Sequence, residues 1–173
     1  MVRNNYAKMI NIIKDTLFSI LSIKDVFENE AQVRDAFVAQ LRNNQNNYLI
    51  KVEVHFKKIE LLSIRYLCFD IVLKDSTNND IIPIELKYCK CGGKNTNFID
   101  KEYEITNNLN KRRKGFLKDI KRIEDYIKNE PRAQRGYAIF LTHNGNGKIK
   151  SCDISEYTYG DRGDYEYLVK EIK

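Results

Sequence analysis

The chain has 173 residues, of which 42% are hydrophobic and 31% are charged. These proportions exclude an extended disordered chain, and the length is enough to bury a hydrophobic core without disulfides or structural metals. Basic residues exceed acidic ones, giving a formal net charge of +6. A moderate positive charge is compatible with nucleic-acid binding but does not require it.

The sequence carries no signal for a membrane or for secretion. No apolar run approaches the ~18 residues of a membrane-spanning helix, and residues 1–11 lack the apolar core of a signal peptide. We therefore expect an intracellular, cytoplasmic protein with free thiols and no membrane partner. The spacing of Cys89 and Cys91 is one residue shorter than structural zinc sites use, which favours chance thiols over a zinc site.

Hydrophobic spacing predicts two helices at the start of the chain. Apolar residues recur at helical intervals over 6–21, and again over 28–42, where Val33, Phe37 and Leu41 form a buried stripe. Alternating or continuous apolar runs then predict three strands, over residues 48–56, 64–74 and 81–88. Residues 75–80 have the composition of a tight turn between the second and third of these strands.

The second half of the chain is predicted less completely. Residues 89–114 lose the hydrophobic pattern and indicate a loop, with a short helix near 99–109. A helix over 116–127 and a strand over 136–142 follow, while the tail from 157 to 173 shows no clear pattern. This order predicts a single α/β domain. Its mixed sheet would consist of an antiparallel meander of three strands and a parallel fourth strand, reached through the helix.

Charged residues interrupt the apolar strands at two places. Asp70 lies in the second strand, and Glu85 and Lys87 lie in the third, where alternation directs both side chains to one face. A hairpin that turns within 75–80 brings Asp70 beside Glu85. Because two adjacent carboxylates repel each other, a hard cation such as Mg²⁺ would stabilise the pair. The alternative is that these residues lie on the solvent-facing side of the sheet.

Lys87 and Glu30 extend this candidate site. Next to a metal, the Lys87 ammonium could orient or deprotonate an attacking water and offset the charge that grows on a phosphate. On an exposed face it would instead form a weak salt bridge with Glu85. Glu30 shares the buried stripe of its helix, so it either caps the helix start or reaches over the sheet to the metal. Its spacing favours neither role.

Three segments carry a family resemblance. They are Asn29-Glu30-Ala31-Gln32-Val33-Arg34, Phe69-Asp70-Ile71-Val72 and Ile84-Glu85-Leu86-Lys87. In this order they resemble the PD-(D/E)XK nuclease superfamily, with Phe69 where the motif has proline. The helix over 117–124 and the strand over 136–142 are similar to the elements that follow in many members, so the resemblance spans residues 28–142.

The resemblance implies both a fold and an activity. The fold would be restriction-endonuclease-like, a central mixed β-sheet flanked by helices, with its core at about 28–142 of a single domain covering 1–173. The activity would be Mg²⁺-dependent hydrolysis of phosphodiester bonds, with Mn²⁺ as a substitute. We expect DNA as the substrate and RNA as the alternative. Asp70 and Glu85 would bind the metal, Lys87 would be the catalytic lysine, and Glu30 an auxiliary ligand. Since one site cuts one strand, a homodimer would suit duplex DNA.

A run of basic residues follows the candidate site in the sequence. Its members are Lys111, Arg112, Arg113, Lys114, Lys118, Lys121 and Arg122. In a nuclease they could bind the phosphate backbone, whereas charge runs more often form a solvated face. Two rival hypotheses stay open: an inactive module of the same fold that binds nucleic acid or a partner protein, and a structural protein whose Glu85 and Lys87 are ordinary surface residues.

Overall fold

The structure, a computed structural model, describes residues 6–23, 26–44, 47–57, 66–90, 98–144 and 156–173. The helices within these ranges are α1 (Tyr6–Ile23), α2 (Glu30–Asn44) and α3 (Phe98–Asn129). The strands are β1 (Tyr48–Lys57), β2 (Tyr66–Asp75), β3 (Ile81–Lys90), β4 (Gly136–His143), β5 (Thr158–Arg162) and β6 (Tyr165–Ile172). None of the described helices is long and apolar enough to cross a membrane.

The six strands form one mixed sheet in the order β1-β2-β3-β4-β6-β5. Only β3 and β4 are parallel neighbours in this sheet, and every other neighbouring pair is antiparallel. A parallel pair needs a crossover connection, which α3 provides between β3 and β4. The predicted α/β class, the antiparallel meander and the parallel fourth strand are therefore confirmed.

Two predicted segments differ from the structure. Helix α3 begins at Phe98, so much of the predicted loop over 89–114 is helical, and the tail forms β5 and β6. Residues 111–114 are exposed, so this part of α3 lacks the apolar stripe that reveals a helix in sequence. In β6, consecutive residues from Tyr165 to Val169 are buried, which hides the alternation expected of a half-buried strand.

The sheet is covered on both faces by hydrophobic clusters. One cluster lies under α1 and α2 and includes Leu17, Phe37, Ile84 and Leu86. The other lies under α3 and includes Phe69, Ile123, Tyr126 and Phe140. All eight residues of β4 are buried, as expected of a central strand packed on both sides. Glu85 and Lys87 contact α3 on the face of the second cluster, whereas Glu30 begins α2, which covers the opposite face.

Candidate functional site

The acids of β2 and β3 meet where the two strands stop pairing. Their ladder runs from Lys74↔Ile81 to Ile71↔Ile84. One further step of this register sets Asp70 opposite Glu85, as the position of the turn predicts. The pairing therefore ends next to the two carboxylates and leaves the following part of β3 open to side chains from other elements.

The pleat of β2 reverses at Asp70. Phe69 packs in the cluster under α3, whereas Ile71, two residues on, packs under α1 and α2. In a regular strand these two side chains would share a face. Glu53, opposite Asp70 in the register of β1 and β2, has a positive φ of 49°. This irregularity turns Asp70 toward the edge of β3, where its Oδ2 accepts a hydrogen bond of 2.8 Å from the backbone N–H of Leu86.

Glu30 reaches β3 from the first turn of α2. The helix is capped by Asn29, whose Oδ1 accepts a hydrogen bond of 2.9 Å from the backbone N–H of Gln32. Glu30 Oε2 accepts a hydrogen bond of 3.0 Å from the backbone N–H of Tyr88, and its Oε1 lies 3.3 Å from Lys87 Nζ. Of its two expected roles, Glu30 therefore adopts the one that extends to the sheet. Its binding of a metal stays a prediction.

Glu85 is a buried carboxyl group between an acid and a guanidinium. Its side chain is 3% exposed, and its Oε1 lies 2.6 Å from Arg122 Nη2. Burial raises the pKa of Glu85 to about 9, helped by a hydrogen bond with Asp70 and by the negative charge of Asp70, against the opposing effect of Arg122. Glu85 therefore retains a proton at neutral pH when no other cation is bound.

Lys87 is a half-buried ammonium held between two carboxylates. Its Nζ lies 3.3 Å from Glu30 Oε1 and 3.5 Å from Asp119 Oδ2. Burial lowers the pKa of Lys87, but the charges of Asp119 and Glu30 outweigh this effect, so the pKa is raised overall. As an ammonium, Lys87 can donate hydrogen bonds to a water or a phosphate but cannot accept a proton. Of its two predicted roles, this state favours orienting the water.

Asp119 and Arg122 join the site from α3, and sequence reasoning missed this role for both. Asp119 is 6% exposed, and its Oδ1 accepts a hydrogen bond of 2.7 Å from Arg122 Nη2. Burial raises the pKa of Asp119 against the lowering effects of Lys87 and Arg122. A signal existed in the sequence, because Asp119 lies three residues after Phe116 and four before Ile123, within the apolar stripe of its helix.

Acidic and basic side chains therefore alternate across four elements of the fold. In spatial order the connected residues are Glu85, Arg122, Asp119, Lys87 and Glu30, with Asp70 on the other side of Glu85. We call these six residues the charged network. Four acids face two cations here, so the network has an excess of negative charge, which the proton on Glu85 reduces.

The donor set at one end of this network fits a magnesium ion. Within the described ranges, no three or more His, Cys, Asp or Glu side chains form a group that could hold a metal. Asp70 and Glu85 nevertheless offer two adjacent carboxyl groups. Mg²⁺ often uses only one or two carboxylates and completes its shell with waters and substrate phosphate oxygens. A cation could thus replace the proton that Glu85 retains.

The seven residues of the basic run differ in their exposure and in their contacts. Five of its members are exposed: Lys111, Arg112, Arg113, Lys114 and Lys118. Lys121 is also exposed but forms an ion pair of 2.8 Å with Asp125 Oδ1. Arg122 belongs to the charged network. Over residues 111–118, α3 therefore presents a solvated basic surface ahead of the network.

A polar cleft of about 420 Å³ opens beside Glu30. It is lined by Glu28, Asn29, Glu30, Ala31, Tyr88, Cys89, Lys90 and Arg112. Lys90 forms an ion pair of 2.9 Å with Glu28 on its wall. Cys89 is buried there, while Cys91 and Cys152 lie outside the described residues, so the prediction about these thiols stays a prediction.

The fold and the site together define an α/β protein with a mixed sheet, whose charged network lies where β2 and β3 separate beneath α3. Comparisons with protein-family models, with curated proteins and with solved structures found no match. The geometry of the charged network is therefore the basis for assigning a function.

Proposed function

We propose that this chain is a Mg²⁺-dependent nuclease of the restriction-endonuclease-like fold that hydrolyses phosphodiester bonds in DNA. The observation that carries this proposal is the placement of the Asp70 carboxylate on the backbone N–H of Leu86, between Glu85 and the Lys87 ammonium on the same strand. The antiparallel meander, the crossover helix and the parallel fourth strand also agree with the element order that the family resemblance implies.

The side chains of the network divide the work of the proposed reaction. Asp70 and Glu85 would hold Mg²⁺, which supplies Lewis-acid polarisation of the phosphate and of the attacking water. Lys87 would donate hydrogen bonds to that water or to a phosphate oxygen, where negative charge grows in the transition state. Arg122, whose side chain is 33% exposed, reaches solvent and could donate to a phosphate oxygen as well.

The exposed basic surface of α3 supports a nucleic-acid substrate. Lys118 lies one helical turn after Lys114 and one turn before Arg122, so these three side chains lie on one side of the helix. Basic side chains that neutralise phosphates release counterions, and binding then weakens as salt rises. We propose that duplex DNA passes along this side of α3 before it reaches the network.

Loss of one phosphate contact should change the salt dependence of binding. Lys118→Ala is expected to weaken duplex DNA binding and to reduce the slope of log K against log[salt] by about 1. Fluorescence anisotropy of a labelled duplex, titrated at several NaCl concentrations in EDTA, measures this. Lys128→Ala is the matched control, because Lys128 is an exposed lysine in the last turn of the same helix. Equal slopes for the two variants would contradict the proposed path.

The function itself is tested by DNA cleavage. The wild type is incubated with supercoiled plasmid and with single-stranded DNA in Mg²⁺, in Mn²⁺ and in EDTA, beside Asp70→Asn. We expect cleavage with either metal, none in EDTA, and a loss of at least about 10²-fold in Asp70→Asn, since that change removes a metal-binding charge. Asp35→Asn on the exposed surface of α2 is the control for the substitution.

One result would favour the rival hypothesis of an inactive binding module. It is a wild type that binds DNA through α3 but cleaves neither substrate with either metal. The same preparation should then also fail to bind Mn²⁺ in a calorimetric titration. Cleavage that persists in Asp70→Asn would instead mean that the reaction takes place elsewhere.

A further inference from the structure

We propose that Asp119 is a positioning residue that holds the Lys87 ammonium in its working place. This inference rests on the proposed nuclease function and assigns a role to a residue outside the acids and lysine that the family resemblance names. Asp119 is a buried carboxylate on α3, and each of its two oxygens lies next to a different cation. Its Oδ2 lies 3.5 Å from Lys87 Nζ, and its Oδ1 lies 2.7 Å from Arg122 Nη2.

The Lys87 ammonium needs neighbouring groups to fix its position. A lysine ammonium is a point charge on a flexible four-carbon stem, so its location depends on what surrounds it. Here the stem runs against α3, because Lys87 Cε lies 3.6 Å from the position that a Cβ on Gly115 would occupy. The helix that carries Asp119 therefore also guides the stem of Lys87.

The two carboxylates that meet Lys87 differ in their exposure to solvent. The Glu30 side chain is 33% exposed, and its other oxygen is bound to the Tyr88 backbone. The Asp119 side chain is only 9% exposed and lies on a helix anchored by Phe116, Ile120 and Ile123 in the core. Without the charge of Asp119, Lys87 would keep only the more exposed of its two ion-pair partners and would shift toward Glu30.

Asp119 also contacts Arg122. The same carboxylate orients this guanidinium, whose Nη2 also lies 2.6 Å from Glu85 Oε1. Asp119 thus keeps both cations on the side of the site where Glu85 lies. A purely structural ion pair would stabilise the packing of α3 on β3 but would not affect turnover selectively, and buried ion pairs are often weak stabilisers.

The test is a kinetic comparison of Asp119→Asn with Asp125→Asn. Asp125 is an aspartate of the same helix that pairs with Lys121 outside the network. We expect Asp119→Asn to lower kcat by about 10- to 100-fold with KM within about two-fold of the wild type, because a misplaced ammonium affects the transition state rather than substrate binding. Asp125→Asn should leave both constants unchanged.

A double-mutant cycle then asks whether Asp119 acts through Lys87. In a Lys87→Ala background, Asp119→Asn should cause a much smaller loss of kcat than in the wild type, since the ammonium that it positions is gone and only its contact with Arg122 remains. Additive losses would overturn the inference, as would an unchanged kcat in the single variant or a loss confined to KM.

Asp119→Glu is a second variant for the case in which Asp119→Asn does not fold. If circular dichroism shows Asp119→Asn unfolded at the assay temperature, Asp119→Glu is assayed, because it keeps the charge and displaces the carboxylate by one methylene. The same selective loss of kcat is expected, and an unchanged kcat overturns the inference. A wild type without cleavage would remove the proposed function and this inference with it. If cleavage is lost in Lys87→Ala but unchanged in the Asp119 variants, the inference about Asp119 is wrong and the proposed function stands.

Discussion

Lys87→Ala is expected to lower Mg²⁺-dependent DNA cleavage by about 10³-fold, which is the cost of removing one well-placed donor to a developing oxyanion. Lys87 lies two residues after Glu85 on β3, and its ammonium is held by Glu30 and Asp119. Its removal takes away the positive charge that meets the growing charge on phosphate, while Asp70 and Glu85 remain to bind the metal. Initial rates of plasmid nicking under saturating Mg²⁺ measure the effect.

Two controls separate this effect from misfolding. Lys74→Ala changes a lysine near the far end of β2, paired with Ile81 in the sheet register, and should cleave at the wild-type rate. Calorimetric titration with Mn²⁺ should show that Lys87→Ala still binds metal, whereas Asp70→Asn should not. Cleavage that survives in both Lys87→Ala and Asp70→Asn would indicate a contaminating enzyme or a different site.

The stability of the metal-free protein is expected to fall as pH rises, because of Glu85. Its pKa is about 9 in the folded protein against an ordinary value of 4.5, so between these values the folded state binds more protons than the unfolded state. The contribution to the free energy of unfolding is full below pH about 4.5 and is lost as pH rises toward 9. The total is on the order of a few kcal/mol. Thermal unfolding in EDTA from pH 6 to pH 9 measures the part of this contribution that is lost over that range.

Glu85→Gln should flatten this pH dependence, because glutamine keeps the shape of the protonated acid and does not ionise. Glu124→Gln provides the matched control, since Glu124 lies on the more exposed side of α3 and pairs only loosely with Lys121, at 3.8 Å. The control should keep the slope of the wild type. A wild-type stability that stays constant or rises over this range would show that Glu85 is already ionised without metal.

The same proton links metal binding to pH. If Mg²⁺ replaces the proton on Glu85, binding should release about one proton and should tighten about ten-fold for each unit by which the pH rises, up to the pKa of Glu85. Isothermal titration in two buffers of different ionisation enthalpy counts the protons. Binding that is independent of pH would mean that Glu85 is not a ligand, even if the protein cleaves DNA.

The sequence by itself determined the local geometry of the proposed site. A turn within 75–80 suffices to set Asp70 opposite Glu85 along the strands, and strand alternation suffices to direct Glu85 and Lys87 to one face, although the reversed pleat that turns Asp70 toward β3 is not part of that pattern. Both relations depend on residues close together in the chain, where backbone geometry alone sets the register. The order of the helices and strands up to β4 and the mixed sheet follow from hydrophobic periodicity in the same way.

Only the tertiary structure decided which distant residues complete the charged network. The rotation of α3 about its axis, which turns Asp119 and Arg122 toward β3, depends on how its apolar stripe packs on the sheet. The reach of Glu30 toward Lys87 depends on the approach of α2 to the open part of β3. Periodicity identifies the buried side of a helix but not the partners that it meets, because those are chosen by packing between elements far apart in the chain.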